Sequence, residues 1–238
     1  MFIDPFGATG APFFAVREIL TSGCSEVLIN VDADGIARIF CAKDQANYEE
    51  LLTSIYGDRS WAGELNDKEQ FAMLCRKALN LYTTKLKSVA RVRYVFSFEM
   101  QKQVGALNYF LVFASKHPLG LVKMKEAMER IDQDGSYRFA DANVSQPLLF
   151  RFDDPGQYAR LMHRHFEGRR VSYEPVENEI NDYALNQTPY FNTKAMLAAL
   201  ERQKLISVVS RTARRKGTFK EGVVKEIEFI RSVDGFQF

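Results

Sequence analysis

The chain has 238 residues, 46% of them hydrophobic and 13% aromatic, which supplies apolar surface for two domains of ordinary size and excludes whole-chain disorder. Its net charge is only +2, and its three cysteines, Cys24, Cys41 and Cys75, are too few and too scattered for a disulfide framework or a zinc site, so they read as free thiols in a reducing compartment. No apolar run reaches the roughly 18–20 residues that span a bilayer, and no basic stretch leads into an apolar core near the start, so the expected location is the cytoplasm, away from membranes.

In chain order, residues 1–4 end a strand that Pro5 and Gly7 cut short. Residues 12–21 have helical spacing, with Pro12 suited to the first turn and Gly23 to the stop. Residues 26–31 are a short apolar run of the type buried in parallel sheets. Strand, helix and strand within about 30 residues make a βαβ unit. Residues 35–56 read as helix with a break, and residues 65–86 as a clearer helix with Phe71, Leu74, Ala78, Leu81 and Tyr82 on one face.

The period then falls from 3.6 to 2. Val92, Tyr94, Phe96 and Phe98 alternate with Arg91, Arg93, Ser97 and Glu99, which predicts a strand, and residues 106–114 predict another. The linker at residues 101–105 is too short for a parallel crossover, so the pair is an antiparallel hairpin. A helix over 118–131, ended by Gln133-Asp134-Gly135, closes a domain of residues 1–147. The order of strand, helix, strand, long helical insert and hairpin predicts an α/β fold: the C-terminal half of a Rossmann-like, class I methyltransferase-like sheet, finished by its antiparallel hairpin.

After a connector at 141–147, residues 148–238 form a second domain with a different pattern. A helix over 155–166 is followed by one capped by Ser172 and running to about Leu185, then by a turn at Thr188-Pro189. A third helix, capped by Asn192 or Thr193, ends near Lys204. Strands at 206–212 and 223–230 flank the basic loop Ala213-Arg214-Arg215-Lys216-Gly217. Three helices and a basic hairpin predict a winged helix. No internal repeat or low-complexity tract interrupts either part.

Charge is divided unevenly between the two parts. Residues 1–147 carry 17 Lys/Arg against 18 Asp/Glu, whereas residues 148–238 carry 15 against 12. Residues 202–225 alone hold eight basic side chains and one acid. Lys194, Ala198, Glu201 and Arg202 share one face of the third predicted helix, and Arg211, Arg214, Arg215, Lys216 and Lys220 lie along the adjacent hairpin. Such a field suits phosphate contacts with DNA or RNA. A protein-docking module and a merely solvated basic surface are the competing readings.

Asp4-Pro5-Phe6-Gly7 carries the clearest chemistry, because it follows a strand where amino-methyltransferases place an Asp/Asn-Pro-Pro-aromatic tetrad. An exocyclic amine is a poor nucleophile, and an acceptor such as Asp4 holds its N–H bonds while an aromatic ring such as Phe6 stacks on a flipped-out base. Phe6 stands where the tetrad has its second proline and Gly7 where it has its aromatic residue, and Asp-Pro-x-Gly also makes plain turns. Glu99 faces either a pocket or Arg91 and Arg93 across the hairpin. His117 is either an acid/base group at a strand end or a helix cap before Pro118. His163 and His165, two apart on a helix, face different sides and do not make a metal pair.

Over most of residues 1–145 the chain resembles the three-Cys-motif partner protein family, TcmP. The resemblance is carried by Phe2-Ile3-Asp4-Pro5-Phe6-Gly7 with Gly10-Ala11-Pro12, the strand at 26–30, Phe98-Glu99-Met100, Ala114-Ser115-Lys116-His117-Pro118-Leu119-Gly120, Lys123-Met124-Lys125-Glu126-Ala127-Met128, and Phe139-Ala140-Asp141. It implies a bacterial or phage-linked methyltransferase-like protein with a winged-helix tail. It also implies a three-cysteine partner similar to radical S-adenosylmethionine enzymes. Candidate catalytic residues by this route are Asp4, Pro5, Phe6, Gly7, Glu99 and His117, with Ser115 and Gly120 beside them.

Only three residues precede Asp4 here, whereas the family has a further N-terminal region expected to hold the cofactor. The expectation is therefore a partial protein that binds S-adenosylmethionine only when that half is supplied. Its Phe2–Asp4 edge would be open to pairing with the missing segment or another copy. A non-catalytic adaptor, recruiting the three-Cys protein to nucleic acid, is the alternative to an enzyme.

Overall fold

The computed structural model describes residues 1–5, 11–23, 26–42, 45–65, 70–101, 109–131, 138–140, 155–174 and 178–231. The chain has a mixed α/β fold and divides into two compact units, Met1–Leu149 and Phe150–Phe238.

In the first unit, β1 (Phe2–Ile3) leads through α1 (Phe13–Thr21) to β2 (Val27–Val31), and the two strands pair in parallel, Phe2 with Leu28 and Ile3 with Ile29. Asp32 caps the next helix, α2 (Ala33–Phe40), by accepting from Gly35 N at 2.8 Å. The break expected in the following helical stretch is a 3₁₀ turn at Gln45–Tyr48, before α3 (Glu49–Tyr56). The short turn α4 (Trp61–Glu64) precedes α5 (Phe71–Ser88), which begins six residues later than the periodicity predicted. Leu74, Ala78 and Tyr82 of its predicted face are buried, but Phe71, in the first turn, is 41% exposed.

The hairpin is antiparallel, with β3 (Tyr94–Gln101) beside β4 (Tyr109–Ser115) from Tyr94↔Ser115 to Met100↔Tyr109. Its turn, and the Gln133-Asp134-Gly135 stop, lie outside the described residues. After α6 (Pro118–Ile131), the three residues of β5 (Arg138–Ala140) pair in parallel with the end of β3, a strand too short to show a period. The sheet order is β1-β2-β4-β3-β5, leaving β1 at an edge.

Alternation along the strands divides the side chains between two faces. Val27, Ile29, Val31, Val95, Phe110, Val112 and Ala114 pack with α1, α2, α3 and α5 in one apolar core. On the other face α6 packs against β3 and β4, with Leu121 and Lys125 wholly buried. Lys125 Nζ lies 4.2 Å from the centre of the Phe96 ring, and burial lowers its pKa well below the ordinary lysine range.

The second unit contains α7 (Pro155–Phe166), β6 (Arg170–Ser172), α8 (Glu179–Gln187), α9 (Thr193–Arg202), β7 (Ile206–Ser210) and β8 (Val224–Phe229). Its three strands form an antiparallel sheet in the order β6-β8-β7. Ser172 was expected to cap the second helix; it lies instead in β6, opposite Glu226, while Asn178 caps α8 by accepting from Asn181 N at 3.0 Å. Pairing with β8 decides this, because three residues with only Val171 buried carry no local strand signal. Asn192 caps α9 as expected, accepting from Ala195 N at 3.0 Å.

Candidate functional site

The strand directions determine where each predicted residue falls. The parallel strands β1, β2, β3 and β5 all end at one edge of the sheet, where open α/β sheets take their ligands. Asp4 stands just past β1 at that edge, exposed, and accepts a hydrogen bond from Asn30 Nδ2 at 2.8 Å. One residue beyond the Ile3↔Ile29 pair, Asp4 and Asn30 are on the same face as Leu111 and Phe98. Pro5 is half-buried beside them, and Phe6 and Gly7 lie outside the described residues.

Glu99 is not gathered into this group. It is in register with Phe110, which is in register with Val31, so its side chain belongs to the opposite face. There it is 8% exposed and pairs with Arg76 of α5 at 3.7 Å, while Arg93, six residues earlier along the same strand direction, is about 20 Å away. Arg93 instead lies over the Tyr94 ring.

His117 is at the wrong end of the sheet. Because β4 runs antiparallel to β2, its last residue, Ser115, lies four residues, or about 13 Å, from the Leu111 partner of Asn30. His117 is exposed there, and its backbone N–H donates to Ser115 Oγ at 3.0 Å. Ser115, fully buried, is also 3.0 Å from Glu26 Oε1. A side chain on Gly120 would meet that oxygen at 1.7 Å, so the glycine makes room for Glu26 near the start of α6. Asp4, Glu99 and His117 thus occupy three separate places, and no single catalytic cluster joins them.

Gly120→Ala is expected to force Glu26 away from Ser115 and the α6 N-terminus, at a cost of about 1–2 kcal/mol. Thermal melts of the single and Glu26→Ala double variants check this, since the double variant should lose less than the sum of the two single losses.

Among the described residues no group of His, Cys, Asp and Glu is placed to hold a metal, and no helix is long and apolar enough to cross a membrane. The described residues do not fit S-adenosylmethionine either. No Gly-x-Gly-x-x-Gly turn occurs in the sequence, and the acid directly after β2, Asp32, is committed to the α2 cap. A surface cleft between α1 and α3, lined by Phe14, Glu49, Glu50 and Arg59 among others, contains none of the predicted residues.

The basic residues of the second unit divide by their partners. Arg214 turns inward: its guanidinium pairs through both nitrogens with Glu201 of α9, donates to Thr218 O at 3.1 Å and lies 5.2 Å from the Phe219 ring centre. The Arg214 and Glu201 side chains are only 11% and 13% exposed. Gly217, at φ +80°, donates its N–H to Glu201 Oε2 at 2.7 Å, which fastens the loop onto the helix over Ala198.

Burial by itself pushes the Glu201 carboxyl up, but the Arg214 and Gly217 bonds together bring it below the usual carboxylate range. Arg211 pairs with Glu174. Lys194, Arg202, Arg215, Lys216 and Lys220 are exposed. Arg214 therefore positions the loop instead of reaching a ligand, and half of the expected α9 face is already covered by its own chain.

The sequence reading missed Asn30 and placed Glu201 on the α9 face without its partner Arg214. A single amide in an otherwise apolar strand marked the first. An acid within a basic face, with an Arg-rich loop to follow, marked the second. Comparison with protein-family models, curated proteins and solved structures finds no match to this chain.

Proposed function

We propose that this chain is a TcmP-like partner of a three-Cys-motif protein: a methyltransferase-like α/β unit that holds an amino group, joined to a winged-helix unit that grips DNA or RNA. The carrying observation is the sheet order β1-β2-β4-β3, with β4 reversed between parallel strands and Asp4 at the carboxyl end of β1. This is the arrangement expected of the second half of a class I methyltransferase sheet. It puts a carboxylate where such sheets receive ligands. Three helices, a small antiparallel sheet and an exposed basic loop support the winged-helix reading of the second unit.

In this reading Asp4 accepts an N–H from a base-like amine and Phe6 is the stacking ring. S-adenosylmethionine is held only when a segment bearing a Gly-rich loop is supplied. The test is transfer of a labelled methyl group from S-adenosylmethionine to DNA and RNA oligonucleotides, with the three-Cys protein and the cofactor-holding segment present. Asp4→Ala should lower transfer at least about 100-fold.

The separation of Asp4, Glu99 and His117 favours a second reading, the adaptor that recruits the three-Cys protein to nucleic acid without chemistry. Oligonucleotide binding with no labelled product would select it.

A further inference from the structure

Asn30 has a polar atom without a partner among the described residues. Its Nδ2 donates to Asp4, while its Oδ1 is closed to solvent and receives no hydrogen bond among the described residues. Turning the amide round does not help, since the carbonyl would then face the Asp4 carboxylate. A buried acceptor without a donor is costly and uncommon, so its presence in a strand otherwise composed of Val27, Leu28, Ile29 and Val31 calls for a reason. An apolar residue at this position would avoid the cost and pack on Leu111, its register partner.

We propose that Asp4 and Asn30 form a paired acceptor for a planar primary amino group, of the kind carried by adenine and cytosine, and that Asn30 determines its specificity. This rests on the reading of Asp4 as an amine acceptor and adds what the site selects. One N–H of the ligand goes to the Asp4 carboxylate, which is exposed at the sheet edge. The other goes to Asn30 Oδ1, the unbonded acceptor on the amide that already holds Asp4. Because solvent does not reach that oxygen beforehand, the ligand gains a bond that water was not already making. A keto analogue presents an acceptor to two acceptors and leaves the Asn30 oxygen unpaired, which is how a hydrogen-bonding site rejects a close isostere.

The probes are adenosine and inosine, titrated separately into the full chain and followed by NMR. Adenosine should bind at least about tenfold tighter than inosine, and Asn30→Leu should bring that ratio close to one. In the unmodified protein the Asn30 side-chain amide resonances should move with adenosine and not with inosine, a readout that survives even where Asn30→Leu fails to fold. Equal affinities, no binding of either nucleoside, or a folded Asn30→Leu variant that keeps the preference would each overturn the proposal. An Asn30-dependent preference without methyl transfer would defeat the enzyme reading and leave the amine site standing.

Discussion

Replacing Arg214 with Ala should destabilise the second unit by about 3 kcal/mol, because it leaves the Glu201 carboxylate largely buried without its counter-charge. It also removes the guanidinium from the Phe219 ring and from Thr218 O. Urea unfolding followed by circular dichroism reads the loss. Hydrogen exchange at the Gly217 amide, which donates to Glu201, reads the release of the loop. Arg214→Lys should recover only part of the stability, since an ammonium cannot pair through two nitrogens.

The same clamp gives a pH dependence with a definite sign. Glu201 titrates lower in the folded chain than its ordinary value of 4.5. Its contribution is therefore complete above the unfolded pKa and is lost as pH falls through the lower folded value. The Arg214→Ala variant should lack this part of the acid sensitivity, so the stability gap between the two proteins should narrow below about pH 4.5.

The second large effect concerns polyanion binding. Arg215→Ala with Lys216→Ala should weaken binding to a DNA or RNA duplex by about 10–100-fold near physiological salt and lower the slope of log affinity against log salt by about 2. Arg214→Ala, by contrast, should leave that slope unchanged wherever the loop stays folded, because its charge is already spent on Glu201. Titrations at several salt concentrations separate the residues proposed to touch phosphate from the one that holds the loop in place. An unaltered slope in the Arg215/Lys216 variant would remove the loop from the interface. Lys194, Arg202 and Lys220 remain exposed to contribute on their own account.

Local pattern alone was enough to predict the elements whose evidence is local. The change of period at residue 92 and the short linker after residue 101 required an antiparallel hairpin, and the apolar run at 26–31 required a buried strand beside the first. The basic character of residues 202–225 was equally plain, since charge needs no partner to be counted.

What a side chain faces was decided elsewhere. Only the sheet order shows that β4 carries His117 to the end away from Asp4, and only the register puts Glu99 on the other face from Asn30. Three-residue strands such as β5 and β6 exist because a neighbour supplies the hydrogen bonds, three residues being too few to establish a period. Arg214 looked like its neighbours Arg215 and Lys216 until Glu201, 13 residues earlier, turned it inward. Sequence determined the longer elements and their charge because propensity and period act over a few residues. Tertiary structure determined the site because pairing between distant residues follows from sheet order and register, which no short stretch contains.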